Sequence, residues 1–353
     1  LFLQSIPHSN TNTIRRYSFP KRVSMLLLEE EIDPHNISVT NISPVCPWTL
    51  TNAKICLSLT KFLKNRTPPY IYKNEFLSYQ SKFNNANFIY TDGSKCGSGV
   101  GAAVVCDNRQ YMFSLSSVCS NYTAEMVAIY KGLNIITPTA NTLIICTDSL
   151  SALLSLRNIF TNDALIQNTL LTLKSLSRNN ITVRFTWIPG HCGIAGNEKA
   201  DNAARNAGTE GTPYREVPAQ DYITLVKRKV KEKWRQRWCA ISDNKLREIK
   251  SDVTVWGSSF RPNRREEVVL TRLRIGHTRL THGYLMTRGP PPTCQCCGVT
   301  LTIKHIFVDC FAYYTLRTSY GLPDNITELL HDHSDYIDKV LDFLKTTNLY
   351  NLI

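Results

Sequence analysis

The pattern of apolar and polar positions is sharpest between residues 86 and 208. Short β-type runs at 87–92, 99–106, 111–117, 142–147 and 181–187 are interleaved there with helical patterns at 122–135, 149–158, 163–178 and 196–206. Runs rich in Val, Ile, Tyr, Phe and Thr predict strands, and apolar residues recurring three and four apart predict helices. Three strands come first, as antiparallel hairpins would, and helix and strand then alternate. That order predicts an α/β domain built on a mixed five-stranded sheet flanked by helices.

The flanking sequence is patterned differently. Residues 1–85 show no clear period and mix Ser, Asn, Thr and Pro with short apolar bursts such as "ICLSLTKFL"; they are expected to be a connector and the tail of an upstream region. Since the chain opens at Leu1 rather than Met, it is expected to be a piece of a longer protein. "GTEGTPYREVP" after 208 has the composition of a linker, and a mostly helical region is expected to follow, basic over 209–290 and rich in Cys and His from 291 to 353. No apolar run approaches the roughly 18 residues that span a bilayer.

Charge sharpens this division. The formal net charge is +13, which favours a polyanionic partner, nucleic acid before membrane. Residues 219–290 carry 17 Lys and Arg against 7 Asp and Glu, a surplus of 17 − 7 = +10, while 86–208 carry 9 against 7, or +2. Most of the twelve cysteines stand singly among apolar residues, as reduced thiols of an intracellular protein, nuclear or cytoplasmic, would.

Four carboxylates stand out against this pattern. Asp92 interrupts the strand "NFIYTDGS", where an unpaired charge would cost several kcal/mol. Glu125 falls in the first turns of the helix "NYTAEMVAIYKGL". Asp148 ends the strand "TLIICTD", with Ser149 placed to cap the next helix. Asp201 lies on "GNEKADNAARNAG", whose alanines would let a helix approach a sheet closely. Taken alone, Asp148 reads as a cap, Glu125 as a helix-dipole charge and Asp201 as a solvated side chain; Asp92 has no such reading. Converging at one sheet edge, they would repel one another unless cations neutralised them, and carboxylate oxygens select Mg²⁺ or Mn²⁺. Two such ions form the clamp for in-line phosphodiester displacement.

"YTDGS", "YTAEMVAI", "TDS" and "WIPGHCGIAGNEKAD", in that order over about 86–208, closely resemble the type-I ribonuclease H domain. The last string is similar to the version in non-LTR retrotransposon polyproteins, which implies an upstream reverse transcriptase. By position, the resemblance implies that Asp92, Glu125, Asp148 and Asp201 are the metal-binding carboxylates, with two Mg²⁺ ions between them. It implies that His191 is the mobile-loop histidine, and that Asn197 and Glu198 are a supporting pair. It further implies that Gly93, Ser94, Ser120 and Asn121 lie where the substrate passes. The activity implied is endonucleolytic hydrolysis of the RNA strand of an RNA–DNA hybrid; the alternative is an inactive nucleic-acid-binding module from a decayed element. Only "NIFTND" separates two of the predicted helices, with no room for a basic protrusion, so weak binding by the α/β domain alone is expected.

Two downstream stretches carry further chemistry. "YITLVKRKVKEKWRQRW" places Val226, Val230, Trp234 and Trp238 four apart, either a stripe docked on a neighbour with its cations solvated, or a cationic face for phosphate. "CQCCGVTLTIKHIFVDC" spaces Cys294, Cys297, His305 and Cys310 as a closed tetrahedral zinc site would need, with Cys296 an alternative to Cys297. His277 and His282 are expected to pack rather than ligate.

Overall fold

The computed structural model describes residues 17–30, 32–37, 46–107, 109–135, 140–242, 244–332 and 335–353. The chain forms two compact units, Leu1–Val226 and Lys227–Ile353.

In the first unit, helix α1 (Phe19–Glu29) precedes strand β1 (Lys54–Cys56) and helix α2 (Pro69–Gln80). Strands β2 (Asn87–Cys96), β3 (Gly99–Cys106) and β4 (Arg109–Leu115) follow, then α3 (Asn121–Ile135), β5 (Thr142–Thr147), α4 (Leu150–Ser155), α5 (Ala164–Arg178), β6 (Thr182–Trp187), α6 (Ala195–Glu210) and β7 (Thr212–Tyr214). The sheet order is β1-β6-β5-β2-β3-β4-β7. β2, β3 and β4 form the antiparallel meander, and β1, β6, β5 and β2 run parallel. The mixed sheet flanked by helices is as expected, but it has seven strands rather than five. The two additions are three-residue edge strands, β1 beside β6 and β7 beside β4, each too short to show alternation.

Helices cover both faces of the sheet centre, which is why β5 is apolar along its length instead of alternating. Ile89, Val104, Met126, Ile129, Ile145 and Phe185 are fully buried in this core. Ala203, Ala204 and Ala207 of α6 are buried against the sheet, the close approach their small side chains predict.

Helix α7 (Ala219–Ala240) crosses the boundary between the units. The second unit continues with α8 (Lys245–Ile249), α9 (Arg264–Ile275), α10 (Arg279–His282), α11 (Tyr284–Thr287), α12 (Tyr314–Tyr320), α13 (Ile326–Leu330) and α14 (Ile337–Thr346). Its separate core gathers Leu270, Phe307, Leu329, Val340 and Phe343. Among the described residues no helix is long and apolar enough to cross a membrane.

Candidate active site

β2 and β5 pair in parallel up to the step where Thr91 faces Thr147. Asp92 and Asp148 are the next residues on each. Matching Thr-Asp steps on adjacent strands therefore release two carboxylates at one end of the sheet, where β2 loses β5 but still pairs with β3. Ser149 then caps α4, its side chain accepting from the Ala152 N–H. The Trp187 indole N–H donates to the Asp148 carbonyl at 3.0 Å and ties β6 to the same end.

Glu125 arrives from the second turn of α3. The helix lies so close to β2 that a Cβ on Gly93 would collide with the Glu125 amide nitrogen. Asp148 likewise leaves no room for a side chain at Gly190. One carboxylate oxygen from each of Asp92, Glu125 and Asp148 lies within 4.8 Å of the others.

Such a trio titrates abnormally. Burial, then the charges of Asp148 and Asp201, push the Asp92 carboxyl from 3.8 up to about 8. Burial, then Asp92 and Asp148, push Glu125 from 4.5 up to about 10. Asp148 is also raised, by burial first and by Asp201, against the pull of Lys64 and His191. Oε2 of Glu125 is buried with no hydrogen-bond partner among the described residues. An orphaned oxygen among crowded like charges is costly without a counter-charge. The donor set fits a hard divalent cation, Mg²⁺ or Mn²⁺.

Asp201 lies outside the trio, within electrostatic reach of it. Its Oδ2 takes an ion pair from Arg205 Nη2 at 2.8 Å and stands 3.8 Å from His191 Nδ1. His191 has positive φ (59°) and an exposed side chain. On either side, Ile188, Cys192 and Ile194 are buried against Leu59, Tyr72 and Phe76, so the loop is pinned while its imidazole reaches solvent. The Glu198 carboxylate accepts the Gly193 N–H at 3.0 Å, and Asn197 is buried beside it.

Of the positions expected along the substrate path, Gly93 and Ser94 extend β2 beyond Asp92, and Asn121 is exposed at the start of α3. Ser120 is engaged locally: its Oγ accepts the Thr123 N–H at 3.1 Å, and its own N–H donates to Asp221 Oδ2 at 3.1 Å. Asp221 also accepts the Thr123 hydroxyl at 2.6 Å. This buried carboxylate from α7 thus caps the helix that carries Glu125. Nothing in the sequence pairs it with a segment about a hundred residues upstream. Asp221→Ala strands both donors and is expected to cost roughly 2 kcal/mol, read from the midpoint of denaturant unfolding.

Residues 84–209 match the RNase H family model. The chain therefore carries an RNase H-like domain, in which Asp92, Glu125, Asp148, His191 and Asp201 all fall; Asp221 and the second unit lie beyond the match. A search of curated proteins finds no match to the chain.

Beyond the RNase H-like domain, Cys294, Cys297, His305 and Cys310 form a second cluster, with ligand atoms all within 4.8 Å of one another. Cys294 and Cys297 stand on a tight turn closed by the Gly298 N–H to the Cys294 carbonyl at 2.8 Å, and the Thr293–Thr300 bridge frames it. Their sulfurs lie 3.7 and 3.9 Å from Cys310 Sγ. His305 opens a single π-helical turn, Nε2 buried and unpartnered among the described residues. Cys296 is exposed and outside the set. The buried Arg317 holds the Cys310 carbonyl from behind at 2.5 Å. Three thiols and an orphaned imidazole nitrogen suit zinc. His277 and His282 stack on each other at 4.1 Å between centroids, and neither joins the cluster.

Proposed function

We propose that the RNase H-like domain is a metal-dependent endonuclease that hydrolyses the RNA strand of RNA–DNA hybrids. The observation that carries this is the trio of buried Asp92 and Glu125 and half-buried Asp148 with its orphaned oxygen, inside a span that matches the RNase H family. Asp92, Glu125 and Asp148 would hold divalent cations, with Asp201 completing the set. Bound there, the cations neutralise the trio, polarise the scissile phosphate and lower the pKa of the attacking water.

The remaining work belongs to the chain. His191, close to Asp201 and open to solvent, would pass a proton out of the site. The β2 backbone at Gly93 and Ser94 and the start of α3 at Asn121 would face the RNA strand, where minor-groove 2′-hydroxyls separate RNA from DNA. A different ion, zinc, would be held by Cys294, Cys297, His305 and Cys310 in a closed structural site. The wider setting we propose is the C-terminal part of a non-LTR retrotransposon reverse transcriptase polyprotein, acting inside the cell on template RNA after DNA synthesis. The similarity of "WIPGHCGIAGNEKAD" to those polyproteins supports this setting.

The test is a hybrid labelled on each strand in turn and incubated with the full chain and Mg²⁺. The expected result is cleavage of the RNA strand to 3′-hydroxyl and 5′-phosphate ends, with the DNA strand and duplex DNA untouched. Binding that leaves both strands whole would instead favour an inactive nucleic-acid-binding module.

A further inference from the structure

From Lys227 to Trp238, α7 carries seven cations (Lys227, Arg228, Lys229, Lys231, Lys233, Arg235 and Arg237) and one acid, Glu232. Arg235 pairs with Glu232 at 2.9 Å. Lys227, Arg228 and Lys231 are exposed and have no ion pair among the described residues. Lys227, Lys231 and Trp234 lie at i, i+4 and i+7, on one helical face, with Arg228 beside them. The docked-stripe expectation holds only in part: Val226 packs against the core of the first unit, whereas Val230 is 39% exposed and Trp234 57% exposed. Trp238 is engaged as well, its indole N–H donating to the Lys250 carbonyl at 2.8 Å.

A helix this cationic is destabilised by its own repulsion, which a polyanion would relieve. Meanwhile the RNase H-like domain holds little surplus charge, and α4 and α5 are joined by residues 156–163 alone, with no basic insertion. The basic surplus lies outside that domain, +10 over residues 219–290. We infer that the exposed face of α7 bearing Lys227, Arg228, Lys231 and Trp234 is a docking surface for the phosphate backbone of the RNA–DNA hybrid. The choice of hybrid rests on the function proposed above; the choice of phosphate rests on the charge of this face.

The experiment compares the full chain with its Lys227→Gln/Arg228→Gln/Lys231→Gln variant. Gln keeps the helix propensity while removing three charges. Binding of a fluorescent 20-base-pair hybrid is measured without divalent ions, over a series of salt concentrations. The variant is expected to bind roughly 100-fold more weakly near 0.1 M salt, and the slope of log K against log salt should shrink by about 3, one unit per lost phosphate contact. Circular dichroism should be unchanged, and at saturating hybrid with Mg²⁺ the cleavage rate should survive. Equal affinity and equal slope for the two proteins would overturn the assignment. So would a variant that binds hybrid normally but loses adhesion to anionic phosphatidylserine vesicles, or changes oligomeric state. A wild-type chain that grips hybrid through this face but never cuts it would sink the nuclease while leaving the docking surface standing.

Discussion

Asp92→Asn is expected to abolish hybrid cleavage, lowering the rate about a thousandfold or more while the fold stays intact. The substitution keeps the shape of the side chain and all the β2–β3 and β2–β5 pairing, but removes one of the three carboxylates that lie within 4.8 Å of one another. Stability separates this loss from misfolding. A carboxyl raised from 3.8 to about 8 holds more proton in the folded state than in the unfolded state, so its contribution to stability falls as pH rises between those values. Glu125, raised to about 10, behaves in the same sense. Without metal, the wild-type RNase H-like domain should therefore melt lower near pH 8.5 than near pH 5.5. The Asn variant, relieved of one buried charge, should melt at least as high as wild type near pH 8.5 and lose less on the way up. A variant that both fails to cleave and melts far below wild type would mark Asp92 as structural.

Cys310→Ser is expected to strip zinc from the chain and collapse the second unit. Cys310 is fully buried, next to a turn whose Ile306 and Phe307 belong to the unit's core. It ends the π-helical turn that begins at His305, so losing the metal loosens the turn and the core together. Structural zinc sites supply on the order of 10 kcal/mol to folding, more than a small unit has to spare. Metal analysis should give one zinc per wild-type chain and none in Cys310→Ser. Calorimetry should show the second unit's transition vanish while that of the RNase H-like domain remains. Cys296→Ser should change neither. Cys310→Ser with a wild-type melt would refute a structural metal there.

What the sequence made legible, and what it hid, divides along physical lines. Central strands and long helices carry periods, and the runs at 87–92, 99–106, 142–147 and 181–187 fall on β2, β3, β5 and β6. The third strand sits two residues earlier than its apolar run, at Arg109–Leu115, because pairing with β3 and not hydropathy sets its ends. β1 and β7 are three residues long, and only their neighbours make them strands. Asp92 stood out because a charge inside an apolar strand is conspicuous. Its closeness to Glu125 and Asp148 was not readable from spacing and depends on Gly93 admitting α3. Asp201 pairs with Arg205 four residues on, as helical spacing allows, while its 3.8 Å approach to His191 comes from the fold. Asp221 was invisible for the same reason: a cap supplied across about a hundred residues leaves no local pattern. Spacing brought out the Cys/His cluster but could not choose between adjacent cysteines; in the folded chain Cys297, not Cys296, stands with Cys294, His305 and Cys310.

Binding of Mn²⁺ to the full chain, followed by electron paramagnetic resonance, tests most directly whether these acidic side chains share a divalent ion. Binding is expected to be saturable, to tighten from about pH 6 to about pH 8.5 as protons leave the trio, and to be lost in Asp92→Asn. Equal Mn²⁺ affinity in wild type and Asp92→Asn across that range would contradict a shared ion.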